Sequence, residues 1–218
     1  MLNSTQDTNA KLIVGALSKY GLTNPFLQVG ILATVYKESG FIPKVEASYS
    51  GTANARIRLI FGSKLSQYNE DQLTALKADD KAFFDAVYGA SGGNNGEGWK
   101  YRGRGFNQIT FRNTYKSYGT KIGVDLENNP DLLNNPQYAA EALASFFKDN
   151  LNQGLKLGTF KKFGVTTADD IKIAEQGTQI AIQSNAGLGT SFNNSTVQEG
   201  YKKAIGEVSD LLKYVNIS

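Results

Sequence analysis

The segment between Asn24-Pro25 and Gly40 constrains the fold of this chain more than any other. Asn is a favoured N-cap, Pro suits a first helical turn whose N–H has no partner anyway, and Gly suits the left-handed residue that ends a helix. A helix is therefore predicted from Pro25 to about Ser39. Val29, Leu32, Ala33 and Tyr36 form one apolar face of it, and Ile31 and Val35 lie on another side. A helix that is apolar on more than one side must be enclosed by the rest of the protein. With 40% hydrophobic and 20% charged residues over 218 positions, the chain has the material for that enclosure.

Helical patterning recurs along the chain. Leu12, Ile13, Ala16 and Leu17 predict an amphipathic helix from Thr8 to Tyr20, stopped by Gly21. Further helices are expected over 53–65, 70–88, 113–118, 137–151, 178–184 and 196–215. Gly89 to Gly98 reads as a sharply turned loop. Trp99 to Thr110 has short extended character at best, and 152–176 is weakly patterned. No repeat, linker or composition break divides the sequence. The expectation is one mainly α-helical unit spanning 1–218, with at most a small β-ribbon.

There is no cysteine and no histidine. Disulfides, thiol nucleophiles, Ser-His triads and His- or Cys-ligated zinc are excluded together. Any catalysis must rest on carboxylates, tyrosines, lysines or backbone groups, and no metal or cofactor is expected. The net charge of +3 suits an anionic polymer but is too small to argue for nucleic acid. Met1 to Asp7 lacks a basic-then-apolar leader, and no stretch reaches the ~18 apolar residues of a membrane span. The expectation is a product made in the cytoplasm without a signal peptide and without membrane insertion.

Two acids stand out. Glu38 closes the apolar helix, followed by Ser39-Gly40-Phe41, and Glu46 follows in a polar, turn-prone stretch. Apolar surroundings would raise the pKa of Glu38, while Glu46 stays ionised. Such a contrast is what an acid/base pair in glycosidic hydrolysis requires. The competing reading is two ordinary solvated carboxylates. The run Trp99-Lys100-Tyr101-Arg102-Gly103-Arg104-Gly105-Phe106 also has rival readings. It is a weak phosphate loop, a basic-aromatic nucleic-acid contact, or a structural element whose arginines pair with buried carboxylates. Gln108 and Thr110, two apart, would share one face of an extended segment and suit hydrogen bonds to sugar.

In this order, Lys37-Glu38-Ser39-Gly40-Phe41, Glu46-x-x-Tyr49-Ser50, Tyr101-Arg102-Gly103-Arg104-Gly105-x-x-Gln108-x-Thr110 and Gly123-Val124-Asp125-Leu126-x-x-Asn129-Pro130-Asp131 resemble glycoside hydrolase family 19. The likeness is greatest to its phage endolysin and bacterial lysozyme-like branch, and it covers about Gln28 to Phe147. It implies a lysozyme-like, two-lobed helical fold with a central cleft, forming a single catalytic domain with no separate wall-binding domain. It also implies inverting hydrolysis of β-1,4 links, with Glu38 as general acid and Glu46 as second acid. Tyr49, Gln108, Thr110, Tyr115 and Asn185 fall on substrate-contacting positions, and Tyr101, Arg102 and Arg104 on the cleft floor.

The sequence departs from the family pattern in three places. Thr114 stands where an Asn is usual before Tyr115, Asn185-Ala186-Gly187 replaces Asn-Gly-Gly, and Lys37 replaces a common His. The side chains of Lys37 and Glu38 are expected to point to different sides. The implied substrate is peptidoglycan or a chitin-like polysaccharide. Implied delivery is through a holin pore or in a phage particle. The rival readings on the same scaffold are a lytic transglycosylase, a chitinase, or an inactive virion or wall-binding module.

Overall fold

The computed structural model describes residues 2–216. Nine α-helices are described: α1 (Ser4–Lys19), α2 (Pro25–Ser39), α3 (Asn54–Phe61), α4 (Glu70–Ala78), α5 (Asp80–Tyr88), α6 (Arg112–Ile122), α7 (Pro136–Leu157), α8 (Ala174–Ala186) and α9 (Ser195–Leu211). The sheet among the described residues has two short strands, β1 (Lys44–Val45) and β2 (Arg104–Gly105). The fold is mainly α, as the sequence pattern requires. None of the described helices is long and apolar enough to cross a membrane.

Helix ends follow local chemistry. Asn24 caps α2 through Leu27 N, and Gly40 ends it at φ 62°. Helix α1 begins before the expected Thr8, because Asn3 and Gln6 form a reciprocal capping box. The expected 70–88 helix is two helices broken at Asp79. That residue is extended (φ −110°, ψ 103°), ends α4, and caps α5 by accepting from Ala82 N. Helix α7 outruns its predicted end and stops at left-handed Gly158. The weakly patterned stretch after it contains 3₁₀ turns at Thr159–Phe163 and Ala168–Asp170.

The contacts divide into two compact units that no linker separates, since the chain passes between them more than once. The first unit comprises Met1–Pro43, Gly105–Asn107 and Asn135–Ser218; the second comprises Lys44–Arg104 and Gln108–Asn134. In the first, α2 is enclosed as its composition demands: Val29, Ile31, Leu32 and Ala33 are all fully buried. Helix α8 crosses α2 at backbone distance. A Cβ on Gly177 would lie 1.9 Å from Phe26 O, and one on Gly30 would lie 2.4 Å from Gly177 C. Only glycine at both positions permits this approach. The second unit has its own core of Ile57, Phe61, Leu65, Leu73, Phe83, Phe84 and Val87, edged by Tyr49, Tyr88 and Trp99.

Candidate active site

Glu38 lies on the last turn of α2 in the first unit. Its side chain is 37% exposed and forms an ion pair with Lys37. Two expectations fail here. The apolar, desolvated setting is absent, because the last turn of α2 emerges from the core that encloses its middle. Lys37 and Glu38 also do not diverge. The lysine side chain lies back beside Gly200 of α9, whose missing Cβ leaves room for it, and its ammonium reaches the neighbouring carboxylate. Asn185, near the end of α8, donates from Nδ2 to Glu38 Oε1 at 3.3 Å. The structure therefore brings together Glu38 and Asn185, which are 147 residues apart in sequence.

The loop after Asn185 is secured from beneath. Gln183 is fully buried, and its Nε2 donates to Gly187 O and Thr190 O, both at 2.8 Å. Lys162 Nζ donates to Gln183 Oε1 at 2.7 Å, completing the amide's bonding.

Glu46 lies in the second unit, just after β1, and three donors hold its carboxylate. Tyr88 Oη donates to Oε1 at 2.9 Å, Tyr49 Oη to the same oxygen at 3.1 Å, and Gly103 N to Oε2 at 3.1 Å. Glu46 N also donates to Gly103 O at 2.8 Å, continuing the ribbon. A Cβ on residue 103 would lie 3.3 Å from Glu46 Oε2 and 2.7 Å from Gln108 Oε1, so glycine lets the carboxylate approach the backbone. The rings of the two tyrosines are seated on the second core. Tyr49 contacts Phe61, Phe83 and Phe84, while Tyr88 stacks on Phe84. Burial, then the adjacent negative charge of Glu46, pushes the Tyr49 phenol up to about 12. The same causes in the same order push Tyr88 further up. Both phenols therefore stay protonated, as hydrogen-bond donors must.

Other predicted contacts have structural duties within the second unit. Tyr115 is fully buried. Its hydroxyl donates to Arg102 O at 2.7 Å and accepts from Arg104 Nη1 at 3.2 Å. This corrects its expected role as a sugar contact, since no atom of it reaches solvent. Tyr101 is also buried and donates to Glu127 O. Gln108 and Thr110 do not share an extended face. Gln108 is left-handed at φ 55° and its amide donates to Lys44 O, while Thr110 Oγ1 donates to Gln108 O. The cause is the turn between Arg104 and Ile109, which pair across it as an antiparallel bridge.

The two arginines also differ from expectation. Arg104 is 2% exposed and pairs at 2.8 Å with Asp131, whose side chain is 77% exposed, so the cation and not the carboxylate is buried. Arg102 lies 3.4 Å over the Trp99 ring and donates to Trp99 O at 2.7 Å. It pairs with a π face instead of an acid.

Sequence reasoning placed Tyr88 in the expected 70–88 helix and missed its hydroxyl. The available signal was a tyrosine, where a phenylalanine would fill the same space, immediately before the glycine loop. Phe111 was missed as well. It has φ 76° and ψ 138°, a backbone region that costs a non-glycine residue about 1–3 kcal/mol.

No protein-family model matches the chain. A Haemophilus influenzae (strain Rd) "Glycosyl hydrolase family 19 domain-containing protein" is 35% identical over 123 residues. That match takes in 53% of this chain and 58% of the relative, somewhat over half of its length. In fold, the chain is similar to chitinase C from Streptomyces griseus HUT6037, at a TM-score of 0.50 and 17% identity. The likeness covers 98% of this chain and 72% of the chitinase chain. The sequence likeness is thus to a glycosyl hydrolase family 19 domain-containing protein over about half of each chain, and the likeness to the chitinase is one of fold.

Proposed function

We propose that the protein is a glycoside hydrolase that cleaves β-1,4 links in peptidoglycan by inversion. Glu38 gives its proton to the glycosidic oxygen, and the Glu46 carboxylate takes one from the attacking water. The observation that carries this reading is the three-donor clamp on Glu46. Two phenols and a backbone N–H around one carboxylate fix where its remaining lone pairs point, as a base directed at a water requires. Asn185 is assigned to the substrate beside Glu38. The ion pair with Lys37 leaves no place for the transferable proton, so this mechanism requires Lys37 to withdraw when substrate binds. Family relationship and charge support a wall polymer. Peptidoglycan is preferred to chitin on the resemblance to the endolysin branch, with release through a holin or carriage in a phage particle as the matching routes to the wall.

Turbidity clearing of purified cell walls tests the reading, with Glu38→Gln and Glu46→Gln as controls. Each substitution is expected to cost ~10²–10⁴-fold in rate while leaving the fold intact. Full activity in Glu46→Gln overturns the two-acid assignment. Product masses separate the rivals: reducing sugar ends that have gained water indicate hydrolysis, whereas anhydro ends indicate a transglycosylase. Activity on chitin oligomers alone makes it a chitinase, and no activity on either polymer leaves a binding module.

A further inference from the structure

Lys64 belongs to the 3₁₀ turn Gly62–Leu65 that follows α3. It is exposed and forms no ion pair among the described residues. Its ammonium instead lies 5.3 Å from the centroid of the Tyr88 ring and 6.0 Å from that of Phe111. The two rings meet edge to face, 5.6 Å apart. Tyr88 is the residue whose hydroxyl holds Glu46. Phe111 is kept in its disfavoured conformation partly by the absence of a side chain at Gly92, where a Cβ would lie 2.3 Å from Phe111 Cβ. An aromatic corner therefore supports an ammonium that is in no ion pair among the described residues, and its Tyr88 ring belongs to the same side chain whose hydroxyl holds Glu46.

A cation held over π faces keeps its three donors directed outward and has little other freedom to lose on meeting an anion. We propose that Lys64, seated on Tyr88 and Phe111, is a subsite for a carboxylate carried by the polymer, and that it favours acidic muropeptide strands over neutral chitin-like ones. This inference rests on the proposed role of Glu46, which puts substrate next to Tyr88. A neutral N-acetylglucosamine chain offers no charge to this ammonium, whereas stem peptides on a muramyl strand do.

The test compares a soluble muropeptide oligomer bearing free carboxylates with the same oligomer after its carboxylates have been amidated. For the wild type the ratio of kcat/KM, acidic over amidated, is expected to exceed one and to fall toward one as salt rises. Lys64→Met is expected to lower that ratio by about 3- to 10-fold, mainly through KM, and Lys64→Arg to restore most of it. A ratio unchanged in Lys64→Met overturns the subsite. Equal losses on both oligomers also overturn it, because Lys64 would then be acting through Tyr88 on Glu46. Cleavage of chitin oligomers but of neither muropeptide overturns the acidic preference while leaving a glycoside hydrolase. A wild type inert on every polymer refutes the proposed function itself. Thermal unfolding of both variants, at an exposed position, checks that the fold is retained.

Discussion

Tyr88 Oη and Glu46 Oε1 are 2.9 Å apart although 42 residues separate them in sequence. The phenol comes from the last residue of α5 and the acid from the loop after β1, so the bond ties a helix of the second unit to its ribbon. Tyr49 shares the same oxygen from three residues downstream. One hydroxyl is thus supplied by local sequence and the other by folding.

Removing these donors tests whether the clamp matters. Tyr88→Phe keeps the ring on Phe84 and loses a hydrogen bond to a charged group, at a cost of about 1.5–3 kcal/mol in stability. Wall-clearing activity is expected to fall about 10- to 100-fold, because the carboxylate gains freedom to turn. The Tyr49→Phe, Tyr88→Phe double variant should show non-additive losses, since both hydroxyls address one oxygen. Rates with thermal unfolding on the same samples check both statements.

Alkaline pH should weaken the second unit. The Tyr49 phenol is raised to about 12 from an ordinary 10.0, and Tyr88 is raised further. Burial also raises Tyr115 to about 12. The folded state holds these protons more tightly than the unfolded chain does. The stability they contribute is therefore complete below pH ~10 and is lost as pH climbs through the folded values. Denaturant midpoints measured from pH 8 to 12 should decline, and the decline should be shallower in the Tyr49→Phe, Tyr88→Phe variant.

Tyr115→Phe separates a structural hydroxyl from a sugar contact. Loss of its bonds to Arg102 O and Arg104 Nη1 is expected to cost about 0.5–1.5 kcal/mol in stability. The KM for wall substrate should be unchanged, as the side chain is fully buried. A several-fold rise in KM without loss of stability would restore Tyr115 to the substrate side.

Gly177→Ala should be among the most damaging single-methyl changes in the first unit. The added carbon would lie 1.9 Å from Phe26 O, which is backbone and cannot swing aside. Separation of α2 from α8 is expected to cost at least about 1–3 kcal/mol, read as a fall in melting temperature. Gly206→Ala in α9, where nothing lies within 4 Å of the added carbon, is the matched control and should be neutral or slightly stabilising.

Which segments are helical was largely legible in the chain, whereas their ends were legible only where a cap and a terminating glycine stand within a few residues of the apolar pattern. Asn24, Pro25 and Gly40 bound α2 as their chemistry requires, and the all-round apolar character of that helix foretold its burial. The acids Glu38 and Glu46 were equally visible as residues. What surrounds them was not. The exposure of Glu38, its ion pair with Lys37 and its bond from Asn185 depend on where α2 leaves the core and where α8 ends. The burial of Tyr115 and the turn that parts Gln108 from Thr110 are likewise products of packing. Local periodicity determined which segments are helices, since the signal lies within one or two turns. Tertiary structure decided the distant partners of each carboxylate, the Tyr88 hydroxyl and Gly103 N–H at Glu46 and the Asn185 amide at Glu38, because they arrive from dozens of residues away and leave no trace in local spacing.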